Sequence, residues 1–229
     1  MVLKDLINKV FWWFEMVKKN VSIILDLLDK NYADLKCYLD YESDWQLLIA
    51  TILSAQCTDA RVNIVTKNLF KKYKSLDDFC CAKQEILEQD IKSTGFYKNK
   101  AKNIILMAKK LKTDFNYKMP SEIKELTSLA GVGRKTANVI RSHIFKIPSI
   151  VVDTHVKRIS QKIGWTKNND ADKIELDLMK VIPKKNWIRI NLQLIAHGRK
   201  ICKARKAECK ICFLNKFCLW NQENKKYGV

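Results

Sequence analysis

Apolar residues recur at helical spacing along nearly the whole chain. Val21, Ile24, Leu25 and Leu28 share one face, and Leu27 widens it. Residues 45–53 are an apolar run without turn punctuation, which predicts a buried helix. Residues 59–70 read as an amphipathic helix that Thr58 can cap, and Ser75 with Asp78 has the spacing of a capping box. Residues 99–111 place Ala101, Ile104, Ile105, Ala108 and Leu111 on one face. Pro120 and Ser121 predict the start of a short helix, and 134–145 the next. Residues 154–163 stop at Gly164, 171–182 stop before Pro183, and 187–197 end near Gly198. Residues 147–152 are the one β-branched stretch, too short and without a partner strand. The pattern predicts an all-α fold with no internal repeat.

At 229 residues the chain has room for one or two domains with a real core. With 47% apolar residues it is not disordered, and with 6 Gly and 3 Pro it is neither collagen-like nor a turn-rich β fold. No apolar run approaches the roughly 20 residues of a membrane span. Lys4, Asp5, Lys9 and Glu15 interrupt the N-terminus where a secretory signal would be apolar. A cytoplasmic chain with reduced cysteines is therefore expected. Lys and Arg number 43 against 24 Asp and Glu, a net charge of +19. Residues 180–229 hold 13 of the basic residues and 2 of the acidic ones, so over half of the excess lies there. Nucleic acid is the partner class that rewards such charge, through counterion release. A proteome rich in Lys is the alternative.

Two constellations carry chemistry. Cys202, Cys209, Cys212 and Cys218 are spaced C-x6-C-x2-C-x5-C. Structural zinc usually takes two tight pairs set well apart. One tight pair with longer arms suits an iron–sulfur cluster better, with zinc the alternative. Cys37, Cys57, Cys80 and Cys81 have no such spacing and read as small core residues. In the second constellation, residues 129–137 read Leu-Ala-Gly-Val-Gly-Arg-Lys-Thr-Ala. Two glycines around one apolar residue make a tight turn between helices. The next helix presents its free N–H groups there, a seat for phosphate beside Arg134 and Lys135.

Together these residues resemble the endonuclease III family of DNA glycosylases. The resemblance runs from about Lys18 to Tyr227. It rests on Leu-Ser-Ala-Gln-Cys-Thr-Asp at 53–59, the 131–137 turn, Val-Asp-Thr-His at 152–155, His-Gly-Arg at 197–199 and the four-cysteine loop. It implies an all-α, two-domain helix-hairpin-helix fold. A six-helix barrel would occupy residues 37–147. An iron–sulfur domain with a [4Fe-4S] cluster on Cys202, Cys209, Cys212 and Cys218 would combine residues 17–36 with 148–229. Residues 1–16, with the aromatic knot Phe11, Trp12, Trp13 and Phe14, extend beyond the family's usual start.

The resemblance also implies an activity. Oxidised pyrimidines are removed from duplex DNA and the abasic strand is nicked by β-elimination. That step needs an amine nucleophile, because only an imine permits it; Lys135 matches that residue. A helix N-terminus and Arg134 both disfavour a second positive charge there. Asp153 matches the family's essential carboxylate, and it can also cap the helix starting at Thr154. Gln56 and Phe96 match positions that wedge into the duplex when the base flips out; core packing is the other reading of Phe96. Leu129, Gly131 and Gly133 are expected to hold phosphate through backbone amides, with Val132, Arg134 and His155 beside them in the matching blocks. Lys203, Arg205 and Lys206 are expected to lean on the DNA backbone. His143, His155 and His197 lack ligand spacing. Ala130 stands where the family usually has Pro, which loosens the turn without removing a donor. A monomer bound to DNA in the nucleoid is expected. The rivals are an adenine-mismatch glycosylase of the same fold and a catalytically silent DNA-binding scaffold. Lys135, and the chain end soon after Cys218, speak against the first. Lys135 with Asp153 speaks against the second.

Overall fold

The computed structural model describes residues 20–226. The aromatic extension at residues 1–16 lies outside the described residues. Within them the protein is helical, with no strand and a single isolated bridge between Cys202 and Ala207. No helix in this range is long and apolar enough to cross a membrane. Two compact units form, one from Cys37–Ile147 and one from residues 20–36 with 148–226.

The Cys37–Ile147 unit is built on α2 (Asp44–Leu53), whose residues from Leu47 to Leu53 are all buried. Ser43 starts this helix by accepting the Gln46 amide. Around it stand α3 (Asp59–Lys72), α4 (Leu76–Cys80), α5 (Gln84–Asp90) and α6 (Tyr97–Phe115), then α7 (Ile123–Thr127) and α8 (Arg134–His143). Thr58 caps α3, and Ser75 with Asp78 forms the expected capping box on α4. Phe79, Leu87, Ile91, Ile104, Met107, Leu111, Leu126 and Ile140 pack into one core with α2. Each such side chain contributes about 1.5–3 kcal/mol on burial. Cys37, Cys57 and Cys80 pack against this core, but Cys81, the residue after α4, is exposed and corrects the reading of it as a core residue.

Two helix limits differ from the sequence pattern. α7 begins at Ile123 rather than at Pro120–Ser121. The Arg141 guanidinium takes the Ser121 carbonyl at 2.7 Å, so that carbonyl is engaged outside any helix. α6 runs from Tyr97 to Phe115, six residues longer than its apolar stripe, and ends at Asn116 in the left-handed region.

The other unit joins α1 (residues 20–31) to α9 (Thr154–Ile163), α10 (Ala171–Val181), α11 (Trp187–Lys200) and α12 (Leu219–Lys226). Ile24, Leu28, Ile159, Ile174, Leu178, Ile190, Leu194 and Leu214 form its core. Gln193 and Arg189 on α11 both reach Asp29 on α1, at 2.7 and 2.8 Å. Residues 147–152 form no strand. They run without regular structure, and Asn191 Nδ2 donates to the Val151 carbonyl at 3.0 Å. α9 stops at Gly164 with φ of 93°, and the Trp165 amide closes back on Ser160 O at 2.8 Å. α11 does not stop at Gly198 but continues to Lys200. Gly198 serves packing instead: a Cβ there would lie 2.3 Å from His155 Nδ1.

Candidate functional site

In the Cys37–Ile147 unit, α7 and α8 are joined by the glycine turn. Gly131 has φ of 77°, and a Cβ there would meet Asn103 Cβ at 3.0 Å, so the fold itself requires glycine. Gly133 differs. It is the N-cap of α8 with φ of −92°, and a Cβ there would meet nothing within 4 Å. Its missing side chain therefore leaves room for something outside the chain. No side chain caps α8. Among the described residues, the amides of Gly131, Gly133, Lys135 and Thr136 have no acceptor. These donors, with the positive end of the helix dipole, make an anion seat. Leu129 and Val132 are placed otherwise than expected. Their side chains are buried, the Leu129 amide donates to Leu126 O, and the Val132 amide donates to Leu129 O, each at 3.1 Å. They build the turn rather than offer donors at its mouth, because the reversal itself consumes their N–H groups. Lys135 is exposed in the first turn of α8, Arg134 is half-buried beside it, and Ala130 is half-buried in the turn.

The same unit carries Gln56 and Phe96. Both are exposed, Phe96 by 62%, and both adopt left-handed backbone with φ of 53° and 49°. Non-glycine residues there cost of order 1 kcal/mol or more, which persists only where the surroundings enforce it. Phe96 is therefore no core residue. It follows Gly95 and stands at the N-terminus of α6.

In the other unit, Asp153 is the N-cap of α9 and its Oδ1 accepts the Val156 amide at 2.8 Å. Among the described residues nothing else bonds this carboxylate, so Oδ2 keeps its lone pairs. One turn on, Arg158 donates to the Cys202 carbonyl at 2.8 Å and meets His155 Nδ1 at 3.2 Å. With Gly198 packed under His155, these contacts tie the start of α9 to α11 and to the four-cysteine loop.

Cys202, Cys209, Cys212 and Cys218 line one cavity of about 390 Å³, open solvent included, backed by Ile159, Ile163, Leu214 and Trp220. Among the described residues no three His, Cys, Asp or Glu side chains close on a single-ion position. Burial pushes the Cys212 thiol up to about 11, and it pushes Cys202 and Cys218 up as well. The neighbouring cysteines add to the rise in each, while Lys162 and Arg158 pull Cys202 back. Bare, these thiols hold their protons; a metal centre inverts that balance and takes them as thiolates. Four sulfurs on one apolar-backed cavity fit an iron–sulfur group. His197 lies beneath, with Nε2 at 3.5 Å from Cys212 Sγ and Nδ1 at 3.3 Å from the Tyr32 hydroxyl. Burial pulls it down to about 4, so it stays neutral. Lys203, Arg205 and Lys206 are exposed on this loop, with Lys203 paired to Glu208 at 2.5 Å.

Comparison with known proteins agrees with this geometry. Residues 49–184 match the HhH-GPD superfamily of base excision DNA repair proteins. The endonuclease III of Synechocystis is 46% identical over 202 residues, covering 88% of this chain and 92% of that one. The chain belongs to the endonuclease III family. The endonuclease III of Bacillus subtilis is 42% identical over 92% of this chain and 97% of its own. A trapped endonuclease III–DNA covalent intermediate, an estranged-adenine complex, superposes with a TM-score of 0.86 at 42% identity, covering 91% of this chain and 98% of that one. A thermostable thymine-DNA glycosylase at 24% identity shares the fold, with a TM-score of 0.78 over 91% of this chain and 98% of its own. Membership in the endonuclease III family makes this chain a base-excision DNA glycosylase and lyase. Sequence reasoning missed Arg158 and Lys100 around the family's motifs. Nothing marks either among 43 basic residues, because their roles come from distant carbonyls.

Proposed function

We propose that this protein excises oxidised pyrimidines from duplex DNA and cleaves the resulting abasic strand through a Lys135 Schiff base. The observation that carries the reading is the exposed Lys135 at an uncapped helix N-terminus, beside a glycine turn whose Gly131 and Gly133 amides have no acceptor among the described residues. Phosphate bound at the Gly131 and Gly133 amides fixes the strand while Nζ reaches deoxyribose C1′. Nζ bonds to C1′ as the C1′–N bond to the base breaks, and the base leaves with a proton. The sugar ring opens to an imine on Lys135. Loss of a C2′ proton then breaks the C3′–O3′ bond, and water hydrolyses the imine to free Lys135. Asp153 keeps one oxygen on its cap. We assign its other oxygen to stabilising positive charge on the sugar and to taking protons as the amine reacts.

Gln56 and Phe96 fill the space that the flipped nucleotide leaves, Phe96 by stacking on the unpaired base. Arg134, His155, Arg205 and Lys206 contact the DNA backbone, Lys203 with them once it leaves Glu208. Cys202, Cys209, Cys212 and Cys218 would hold a [4Fe-4S] cluster. Bound there, the cluster supplies structure, tying the basic loop into one piece, since amine attack transfers no electrons. Cys37–Ile147 is the barrel and hairpin domain, and the other unit is the iron–sulfur domain. The enzyme acts as a monomer on nucleoid DNA in the cytoplasm. Single-turnover assays on duplexes with an oxidised thymine test the reading: excision with strand cleavage supports it. Release of adenine from a mismatch instead would favour the rival glycosylase. Binding without any cleavage would favour a silent scaffold.

A further inference from the structure

Lys100 is a buried cation that the reaction above does not use. It sits in the first turn of α6 and is 4% exposed. Its Nζ donates to the Leu53 carbonyl and to the Thr94 carbonyl, each at 2.8 Å. Its own amide donates to the Phe96 carbonyl at 3.1 Å. Leu53 ends α2, three residues before Gln56, and Thr94 ends a short 3₁₀ turn, two residues before Phe96. Both are buried, so water does not serve these carbonyls. Among the described residues no carboxylate pairs with Lys100. Burial alone pulls its pKa down, with the nearby Cys57 opposing. A lone buried ammonium is unfavourable to fold around. Here it joins the segments that carry Gln56 and Phe96, both exposed and both left-handed.

We propose that Lys100 is a positioning residue that clamps the Gln56 and Phe96 segments into one rigid wedge. Two of the three ammonium protons each hold one carbonyl shortly ahead of a strained residue, so the two tips move together or not at all. A base leaving the stack exerts force on whatever replaces it. A wedge whose two halves could shift independently would let the base return. The proposal rests on the glycosylase reading and deepens it.

The test compares Lys100→Met, Phe96→Ala and the double variant, each checked for folding by thermal melting. Flipping is read from a fluorescent base opposite a stable abasic analogue, and chemistry from single-turnover excision of oxidised thymine. Lys100→Met should lower excision about 10-fold to 100-fold, the scale of a positional error in a catalytic assembly. The fluorescence signal should fall in parallel. In the Phe96→Ala background the same change should do little more, since both act through one wedge. Losses that multiply in the double variant, or excision lost with flipping intact, overturn the proposal. If Lys100→Met does not fold, hydrogen exchange on the unaltered chain decides. Binding the abasic-analogue duplex must slow exchange at residues 54–57 and 94–97 together, and protection of one segment alone overturns the clamp. A wild-type chain that excises nothing overturns the glycosylase reading itself, and the clamp with it.

Discussion

Two helices in this protein begin in opposite ways. α8 opens on Gly133, with no side-chain cap and with the Gly133, Lys135 and Thr136 amides left without an acceptor among the described residues. α9 opens on Asp153, whose carboxylate closes its own first turn at 2.8 Å. The same orphan N–H groups are present at both ends. One end leaves them for an external anion and sets a cation, Lys135, beside them. The other answers one of them, the Val156 amide, with Asp153 Oδ1 and leaves the second carboxylate oxygen without a bond among the described residues. A helix start can thus be built to receive negative charge or to present it, and the choice rests on one residue at the N-cap.

The contrast can be broken from either side. Lys135→Ala should lower strand cleavage at abasic sites by about 1,000-fold or more, read from single-turnover gels, because no other amine replaces the imine. Duplex affinity should change little by comparison. Asp153→Asn separates cap from chemistry. Asn caps as well as Asp, so thermal stability should stay within about 0.5 kcal/mol, while excision should fall about 100-fold or more. Asp153→Ala should lose the same activity and a further ~1 kcal/mol of stability. Equal activity in the Asn variant would reduce Asp153 to a cap.

The two glycines sharpen the α8 side. Gly131→Ala must hold φ of 77° and place a Cβ 3.0 Å from Asn103 Cβ, so it should destabilise by ~1–3 kcal/mol in a denaturant melt. Gly133→Ala meets open space at an ordinary φ. Its melt should match wild type, and duplex binding should weaken by about 1 kcal/mol, the scale of one hydrogen bond. If Gly133→Ala binds DNA unchanged, the open turn is not an anion seat.

Much of this was legible in the sequence. Thr58, Ser75, Asp153 and Gly164 announce helix limits by local chemistry, and the structure uses each as written. The limits that local chemistry does not set depend on distant partners. Ser121 is held out of α7 by Arg141, twenty residues on. Gly198 looks like a helix stop and is instead the floor under His155, which reaches it from α9. The motif residues were legible in the same local way, since the glycine turn and cysteine spacing are short-range patterns. The left-handed backbone at Gln56 and Phe96 was not, because neither residue type demands it. Lys100 was the least visible: its two acceptors are 47 and 6 residues away, and its lysine neighbours at 98 and 102 are exposed.

Borohydride reduction of the protein on a duplex bearing an abasic site, followed by peptide mapping of the trapped adduct, is the most direct measurement. The adduct should sit on residue 135, and Lys135→Ala should give none. An adduct mapped to another residue, or retained in Lys135→Ala at wild-type yield, would contradict the assignment of the nucleophile.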